Sequence, residues 1–283
     1  MNNDIAAVVV VYRSGPVKPL VEQLAIQGIT SVVVVDNGSP HAYRHEWTTG
    51  PCRVRELAFG TNLGYGAAIN RALPELEERM VLVSNPDVMP HAGAVRALAY
   101  IMMTSDRVGA VGPKVLDVAG ERYPSFRRFP SLWESMWHGA IGWIAPASFA
   151  TRSYRMSDID PESAVVVPWI SGSCLLCSRE ALRAVGGFDT KYQLYMEDVD
   201  LCRRLWIKGY QIVYQPEAVV THVGGVSSSQ RRLRAVLAHH RSMATYAAAE
   251  QSSSLILILV ELGIALRCGL SLVRTILSRV IRN

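Results

Sequence analysis

Cysteine is scarce in this chain, and its cysteines do not form an even framework. The 283 residues include five cysteines, of which Cys174 and Cys177 make the one CxxC pair. A four-cysteine zinc site would need a second pair, and residues three apart in a strand face opposite sides of the sheet. We therefore expect reduced core cysteines in a cytoplasmic protein, and neither a redox site nor a zinc site.

The start of the sequence lacks the features of a secretory signal. Residues 1–4 are polar, and the apolar run 5–12 ends too soon for a signal peptide. Charged residues make up only 19% of the chain and hydrophobic residues 49%, with a mean hydropathy of +0.16. This composition is apolar for a soluble protein, but it is not that of a multi-span membrane protein.

Excess positive charge is absent outside the C-terminal region. Residues 228–283 contain eight arginines, no lysine and two glutamates, whereas the remainder has 21 basic and 22 acidic residues. Because the basic charge belongs to one tail and no base-stacking motif accompanies it, a nucleic-acid-binding protein is the least favoured class.

Apolar runs of strand length alternate with helical segments in the first part of the chain. The strands are predicted at 5–12, 31–36, 52–58, 80–84 and 108–115, and the helices after Pro16, after Asn62 and at 91–103. This alternation predicts a mostly parallel, Rossmann-like α/β sheet flanked by helices, which binds ligands at the carboxyl ends of its strands. Asp36 and Asp87 lie at such ends.

The second part of the chain is less regular. Residues 117–164 show no clear period, residues 165–178 are predicted to be extended, and short helices follow near 179 and 197. Two later strands, "YQIVYQP" and "AVVTHV", indicate an antiparallel or mixed region, and from about residue 228 the chain becomes helical and basic.

The helix near residue 197 carries an acid that ion pairing does not explain. Asp198 lies on the apolar stripe with Leu201, Cys202 and Leu205, while Glu197, Asp200, Arg204 and Lys208 lie on the opposite, charged face. Asp200 is accounted for by an i,i+4 pair with Arg204. Asp198 is therefore either an acid that stabilises the helix N-terminus or a catalytic base in a cleft.

Three further residues have a structural and a functional interpretation each. Asp36 is a common turn residue before Asn-Gly, or an acid that contacts a nucleotide. Asp87 is a turn residue after Pro86, or an oxygen ligand of Mg²⁺ or Mn²⁺. His222 is a core histidine or a further metal ligand.

The order of six motifs carries a family resemblance. These motifs are "VDNGS", "NLGYGAAIN", "NPDV", "SGSCLLCSREALRAVGGFD", "YMEDVDLCRRL" and "THVGG". Over about residues 5–225 the sequence resembles the family 2 glycosyltransferases of GT-A fold, and within them the rhamnosyltransferase branch. The resemblance implies a catalytic domain over residues 1–225, with a nucleotide-sugar half at about 1–115 and an acceptor half at about 116–225, and a basic helical region over 226–283.

The resemblance also implies roles for individual residues. Asp198, the second acid of the "ED" motif, would be the base. The nucleotide-sugar site would be formed by Asp36, Asn62, Gly64, Asn85 and Asp87. The acceptor site would be formed by Trp169, Ser171, Gly172 and Glu197. Asp87 and His222 would hold Mg²⁺ or Mn²⁺, although Asn85 stands where the family's metal motif has its first aspartate.

The implied reaction is an inverting transfer of L-rhamnose from dTDP-L-rhamnose. The implied acceptor is a polyprenyl-diphosphate-linked sugar, with GlcNAc-diphospho-polyprenol as the best single candidate, in cell-wall or polysaccharide assembly. The alternatives are a galactofuranosyl-, glucosyl- or GlcNAc-transferase that uses a UDP-sugar, and a non-catalytic nucleotide-sugar-binding subunit. The retained Asp87, Asp198 and His222 argue against the non-catalytic alternative.

The C-terminal apolar run 255–277 is long enough to span a membrane. Glu261, Arg267 and Arg274 disfavour the bilayer centre, and the polar residues recur at helical spacing as a narrow stripe. These features favour an amphipathic helix on an anionic membrane surface, at the inner face of the cell membrane. Packing on its own domain or in a homo-oligomer is the alternative.

The segment 133–143 has three tryptophans at or near helical spacing, which favour core or lid packing or a surface for the lipid-linked acceptor.

Overall fold

The computed structural model of the protein describes residues 4–130, 152, 154, 156, 159–223, 232–251 and 253–280. The tryptophan segment 133–143 lies outside these residues.

The first part of the chain follows the predicted alternation of strands and helices. Its strands are β1 (Ile5–Val11), β2 (Ser31–Asp36), β3 (Ala42–Thr49), β4 (Cys52–Phe59), β5 (Met80–Ser84), β6 (Val88–Pro90) and β7 (Val108–Leu116). Its helices are α1 (Lys18–Ile26), α2 (Tyr65–Ala72) and α3 (Ala94–Met102). Pro19 lies in the first turn of α1, where a proline removes no helical hydrogen bond.

The second part adds shorter strands and four further helices to the described structure. The strands are β8 (Arg122–Tyr123), β9 (Phe126–Arg127), β10 (Val165–Val166), β11 (Trp169–Ile170), β12 (Cys174–Ser178) and β13 (Gln211–His222). The helices are α4 (Arg179–Ala184), α5 (Glu197–Ile207), α6 (Arg232–Glu250) and α7 (Ser254–Val280).

One mixed sheet organises the domain, with the strand order β10-β13-β7-β12-β5-β1-β2-β4-β3. The pairs β1–β2, β1–β5, β2–β4 and β7–β13 are parallel, whereas β12 is antiparallel to both β5 and β7. Because β1 pairs in parallel with β2 and β5, Asp36 and Asn85 follow strands that end at the same edge of the sheet. The sheet thus brings the ends of β2 and β5 to one edge, where most of the predicted donor residues lie.

Two details of the sheet differ from the sequence-based expectation. Strand β3 was not predicted, because "AYRHEWTT" is largely polar and exposed, as an edge strand can be. The two strands predicted at 210–216 and 218–223 form one long strand, β13, whose pairing with β7 shifts register between Gln215 and Val219. Pro216 lies in this irregularity, since a proline cannot donate to the ladder.

The core lies on both faces of the sheet, as expected for buried parallel strands. Alternate residues of β1 contribute to two hydrophobic clusters, with Ala6 and Val8 in one and Ile5 and Ala7 in the other. Cys174 and Cys177 are buried and free, and they belong to different clusters. The prediction that the CxxC pair is a core feature is therefore confirmed.

The C-terminal helices pack on the α/β domain and on each other. The second half of α6 is anchored there: Tyr246 and Ala247 are each 6% exposed. The Ser242 hydroxyl donates to the Leu194 carbonyl at 2.9 Å, and Arg203 forms an ion pair with Glu250. Helix α7 returns along α6 and buries Val260.

The outer side of α7 is apolar and exposed. The segment Ser254–Leu277 has a mean hydropathy of 2.2, is 6% buried, and is long and apolar enough to cross a membrane. Its exposed side chains are Leu255, Ile256, Ile258, Leu259, Leu262, Leu266, Leu270, Val273, Ile276 and Leu277. The predicted polar stripe includes Gly263, Arg267, Ser271 and Arg274, of which Arg267 and Ser271 are half-buried and the other two are exposed. The exposed surface of α7 is therefore mainly apolar.

Candidate active site

A large cavity opens at the carboxyl edge of the sheet. Its volume is about 850 Å³, which is in the range of sites for small organic ligands. Five residues predicted for the donor and metal site line it: Asn62, Gly64, Asn85, Asp87 and His222. Loop residues 193–195 and helix α6 provide the remainder of the lining, together with Val10, Tyr12, Asn37, Tyr65 and Pro86.

A network of amides shapes the loop between β4 and α2. Asn37 is 4% exposed and donates to Asn62 Oδ1 at 3.1 Å, while its own Oδ1 accepts from the Leu63 amide at 2.8 Å. Gly64 has φ of +89° and approaches the Gln193 carbonyl, which would lie 2.9 Å from an added Cβ. Sequence reasoning treated Asn37 only as part of a turn, although the Asp-Asn-Gly motif was the available signal.

Asp36 ends β2 but is held by its own turn and by β3. Its Oδ1 accepts from the Gly38 and Ser39 amides at 2.9 and 3.0 Å, and its Oδ2 accepts from the Tyr43 hydroxyl at 2.9 Å. Burial and the Asp36 carboxylate raise the pKa of Tyr43 to about 12, which keeps that hydroxyl a donor. Asp36 does not line the cavity; it braces the turn beside it.

Asp87 and His222 meet across two strands. After β5, the chain turns through Asn85-Pro86-Asp87 into β6, which pairs with the end of β13 in the register His222–Val88. This pairing brings Asp87 Oδ1 to 3.1 Å from His222 Nε2, and each side chain is 20% exposed. The sheet therefore brings into contact two residues that are 135 positions apart in the sequence.

This pair can contribute to a metal site but does not complete one. A carboxylate oxygen and an imidazole nitrogen are suitable donors for Mn²⁺, and the oxygen also suits Mg²⁺. Within the described residues, no group of three or more His, Cys, Asp or Glu side chains could hold a metal ion. A bound ligand would have to supply further oxygen donors, as the diphosphate of a nucleotide sugar can.

The backbone before helix α5 is in an unusual conformation. Tyr195 and Met196 are consecutive non-glycine residues in the left-handed region, with φ of 66° and 68°. Such conformations cost about 1–3 kcal/mol each and persist where the surrounding structure imposes them, often at functional sites. Here they direct the chain from the cavity wall at Tyr195 into Glu197 and Asp198, the first residues of α5.

Asp198 is held by backbone amides. Its Oδ2 accepts from the Gly172 amide and its Oδ1 from the Val199 amide, both at 2.9 Å. Burial raises the pKa of Asp198, while these hydrogen bonds oppose the shift. A carboxylate with a raised pKa and a fixed orientation is suited to accept a proton.

Glu197 departs from its predicted position. Helical spacing assigned it to the charged face opposite Asp198, but it is 6% exposed, and among the described residues its Oε2 has no hydrogen-bond partner. The assignment to the charged face is wrong, because the left-handed entry to α5 turns the first residue of the helix inward. Burial and, secondarily, the adjacent Asp198 raise the pKa of Glu197.

Tyr65 connects the cavity to the two acids. Its hydroxyl donates to the Gly172 carbonyl at 2.9 Å, and the amide of the same Gly172 binds Asp198. Burial raises the pKa of Tyr65 well above its ordinary value, and the charges of Glu197 and Asp198 raise it further. Neither Glu197 nor Asp198 lines the cavity itself, so the two acids lie behind its wall.

The predicted acceptor residues Trp169, Ser171 and Gly172 are near Asp198 but differ in accessibility. Trp169 is 6% exposed, and its indole nitrogen donates to the Arg128 carbonyl at 2.7 Å. Ser171 is half-buried, and its hydroxyl donates to Ser173 Oγ at 3.2 Å. Gly172 is buried against Asp198, whose Cβ would be 3.2 Å from an added Cβ. The geometry gives Gly172 a direct part in orienting the carboxylate.

Helix α6 supplies cavity residues that sequence reasoning missed. Arg234 and Arg241 line the cavity, together with Ala235, Leu237 and Ala238. The sequence shows that the tail is basic, and this composition by itself favours a helix on an anionic membrane surface. A helical period that places both arginines on one face was the signal available.

Comparison with known proteins identifies the family. Residues 4–241 match the family described as Glycosyltransferase like family 2. The N-acetylglucosaminyl-diphospho-decaprenol L-rhamnosyltransferase of Mycobacterium tuberculosis is 37% identical over 256 residues, which cover 86% of this chain and 83% of that relative.

Solved structures support the fold. Mannosyltransferase PcManGT from Pyrobaculum calidifontis, in complex with GDP-Man and Mn²⁺, has a TM-score of 0.55 at 16% identity, covering 96% of this chain and 72% of that chain. S. aureus TarS 1-349 in complex with UDP-GlcNAc has a TM-score of 0.54 at 15% identity, covering 93% and 72% respectively. At these identities the likeness concerns the fold alone, and the predicted GT-A architecture is confirmed. With its family match and its relative at 37% identity, the chain belongs to glycosyltransferase family 2.

Proposed function

We propose that this glycosyltransferase moves L-rhamnose from dTDP-L-rhamnose to a lipid-linked acceptor, GlcNAc-diphospho-polyprenol, with inversion at the anomeric carbon. The observation that carries this proposal is the 37% identity, over 86% of the chain, to an L-rhamnosyltransferase whose name states such an acceptor. The cavity beside Asp87 and the acid Asp198 behind it are the features that this chemistry requires.

The donor would occupy the cavity at the carboxyl edge of the sheet. A volume of about 850 Å³ can hold a nucleotide sugar, and the lining offers both amide groups and apolar surface. Asn62 and Gly64 would lie near the nucleotide, with Asp36 bracing the adjacent turn, and Asn85 and Asp87 would lie near the diphosphate. This orientation follows from the strand ends, since ligands of such sheets bind at the carboxyl edge.

Asp87 and His222 would hold a divalent metal ion, Mg²⁺ or Mn²⁺. Such an ion supplies charge neutralisation for the leaving diphosphate. Asn85 offers a neutral amide where the family's metal motif has its first aspartate, so the protein groups at this site carry less negative charge than that motif would. In the absence of the donor, the protein would therefore hold the metal less tightly than a site with a second carboxylate.

Asp198 would act as the base. Its carboxylate takes the proton from the acceptor hydroxyl while that oxygen forms a bond to the anomeric carbon. The bond from this carbon to the diphosphate oxygen breaks, and its electron pair leaves with the nucleoside diphosphate. The Gly172 and Val199 amides fix the orientation of Asp198. A well-placed base typically contributes about 10²–10⁴-fold to the rate.

The acceptor would approach from the side of Trp169, Ser171, Gly172 and Glu197. A polyprenyl lipid remains in the membrane, so the enzyme must work close to a bilayer surface. The exposed leucine-rich face of α7 gives the protein a surface that can enter the interface. We therefore propose a peripheral position at the inner face of the cell membrane.

A transfer assay tests the proposal. Radiolabelled dTDP-L-rhamnose and GlcNAc-diphospho-polyprenol should give a labelled lipid product in the presence of Mg²⁺ or Mn²⁺. The same acceptor should be tested in parallel with UDP-glucose, UDP-GlcNAc and UDP-galactofuranose. Transfer from one of these UDP-sugars, and none from dTDP-rhamnose, would refute the rhamnosyl assignment while leaving the family assignment intact. Release of free sugar without lipid product would refute the acceptor.

A further inference from the structure

Helix α6 is held against the catalytic domain by its second half. The Ser242 hydroxyl binds the Leu194 carbonyl, Tyr246 and Ala247 are buried, and Glu250 pairs with Arg203 of α5. The contact with Leu194 is informative because Leu194 also lines the cavity. These contacts fix the position of the helix relative to the site.

The first half of α6 presents two cations to the cavity. Arg234 and Arg241 are seven residues apart, about two helical turns, so both side chains leave the same face. Both side chains are exposed, and among the described residues neither guanidinium forms an ion pair. The residues between them on this face, Ala235, Leu237 and Ala238, are uncharged.

The part of the cavity lining that the strand ends supply has little negative charge. It contains Asn85, Asp87 and His222, of which only Asp87 is acidic. Among the described residues, the charged side chains that line the cavity are thus one carboxylate and two guanidinium groups, together with the imidazole of His222. A cavity of this charge favours a polyanion, and arginine forms particularly strong, paired hydrogen bonds with phosphate oxygens.

We propose that Arg234 and Arg241 bind the diphosphate of the nucleotide-sugar donor from the side of α6, in the cavity that Asp87 and His222 also line. This inference rests on the proposed function in one respect, namely that the cavity receives a nucleoside diphosphate sugar. Guanidinium groups here take over part of the charge neutralisation that a metal ion, held more tightly by a second carboxylate, would provide. The presence of Asn85 in the metal motif is then compatible with a functional donor site, because α6 completes it.

The test compares Arg234→Gln, Arg241→Gln and the double variant of the full chain with wild type. Titration calorimetry with dTDP and with UDP, each with and without Mn²⁺, measures the affinity. Because hydrogen bonds to charged groups are of the stronger class, each single substitution should weaken nucleoside diphosphate binding about tenfold, and the double variant more. Thymidine and uridine, which lack phosphates, should bind the variants as they bind wild type.

Matched controls separate a phosphate contact from a structural role. Arg96→Gln removes an exposed arginine of α3 outside the cavity and should leave the affinity unchanged. Arg234→Lys and Arg241→Lys keep the charge but lose the paired donor geometry, so they should recover part of the lost affinity. A loss of thymidine or uridine binding in the glutamine variants would show that α6 merely supports the fold, and would overturn the proposal.

Steady-state kinetics distinguish the donor from the acceptor, since both carry a diphosphate. The glutamine variants should raise the KM for the donor about tenfold or more and leave the KM for the lipid-linked acceptor unchanged. A rise in the acceptor KM alone would assign the arginines to the acceptor and overturn this proposal. Unaltered nucleoside diphosphate affinity in the double variant overturns it while the proposed function stands. If wild type binds neither dTDP nor UDP, the proposed function and this inference both fail.

Discussion

Glu197 and Asp198 are adjacent acids whose surroundings differ. Asp198 has an amide donor for each carboxylate oxygen, whereas Glu197 Oε2 is buried without a partner among the described residues. Burial raises the pKa of both. Pairs of titratable groups in different environments often divide roles, and here the oriented acid is the better candidate for a base.

Replacing Asp198 with asparagine should abolish transfer. The amide keeps the size and can still accept the Gly172 hydrogen bond, but it cannot take a proton from the acceptor. We expect kcat to fall by about 10²–10⁴-fold or more, with dTDP affinity largely retained. Radiolabel transfer and calorimetry measure the two quantities. Near-normal turnover of Asp198→Asn would exclude Asp198 as the base.

Glu197→Gln should stabilise the protein at alkaline pH. The pKa of Glu197 is raised in the folded state, so its contribution to stability is greatest below its ordinary pKa and is lost as the pH rises toward the raised value. The glutamine variant has no such titration. Its melting temperature should exceed that of wild type by a few degrees at about pH 8, and the difference should shrink toward about pH 5.

The exposed Glu217 provides the control for this pH dependence. Glu217→Gln should follow the wild-type melting curve at each pH, because its side chain is solvated. A Glu197→Gln variant whose advantage grows on acidification would contradict the assigned direction of the pKa shift.

Helical spacing predicted the side of α5 on which Asp198 lies, but it placed the neighbouring Glu197 on the wrong side. Helical spacing showed that Asp198 lies on the apolar stripe, and burial and amide hydrogen bonds agree with that position. The inward turn of Glu197 depends on the left-handed backbone at Tyr195 and Met196, which no local pattern predicted. Tertiary contacts determine that conformation, so single-sequence periodicity could not reveal it.

At the scale of elements, the loop that leads into α2 is fitted closely to the cavity rim. Gly64→Ala should destabilise the protein and weaken donor binding, because φ of +89° disfavours a side chain and the new Cβ would be 2.9 Å from the Gln193 carbonyl. We expect a loss of about 1–3 kcal/mol from the backbone conformation and more from the collision. Chemical denaturation and dTDP calorimetry measure the two effects.

Gly120→Ala isolates the conformational part of this cost. Gly120 has φ of +82°, yet nothing lies within 4 Å of an added Cβ. Its substitution should cost less than that of Gly64 and should not affect dTDP affinity. Equal destabilisation by the two substitutions would show that the contact with Gln193 can relax freely.

The elements themselves were largely predictable where burial is continuous. β1, β2, β5 and β7 are apolar runs covered on both faces, so their composition identifies them. The edge strand β3 is polar, and it forms because β4 offers it a ladder of hydrogen bonds. The contact between Asp87 and His222 depends on the pairing of β6 with β13. The sequence does not predict this pairing, because the two strands are far apart along the chain.

For the whole molecule, the position of the C-terminal helices was the least predictable feature. The sequence indicated a basic, amphipathic tail, and the fold divides that tail into two helices with different surroundings. Helix α6 turns Arg234 and Arg241 toward the cavity, while α7 exposes an apolar face and half-buries Arg267. The direction in which these charges point depends on how α6 packs at Leu194 and Tyr246. Contacts between distant parts of the chain determine this packing, so the local sequence does not predict it.

The exposed face of α7 should carry the membrane association. In the variant with Leu259→Gln, Leu262→Gln and Leu266→Gln, three side chains that are 58%, 62% and 68% exposed lose apolar surface, so the fold should tolerate the changes. Binding to vesicles that contain anionic lipid should fall roughly tenfold or more, because interfacial binding scales with buried apolar area. Flotation on such vesicles measures the bound fraction.

Ile26→Gln, at a residue 77% exposed on α1, is the control and should float like wild type. Undiminished flotation of the triple variant would show that another surface contacts the membrane and would remove α7 from that role.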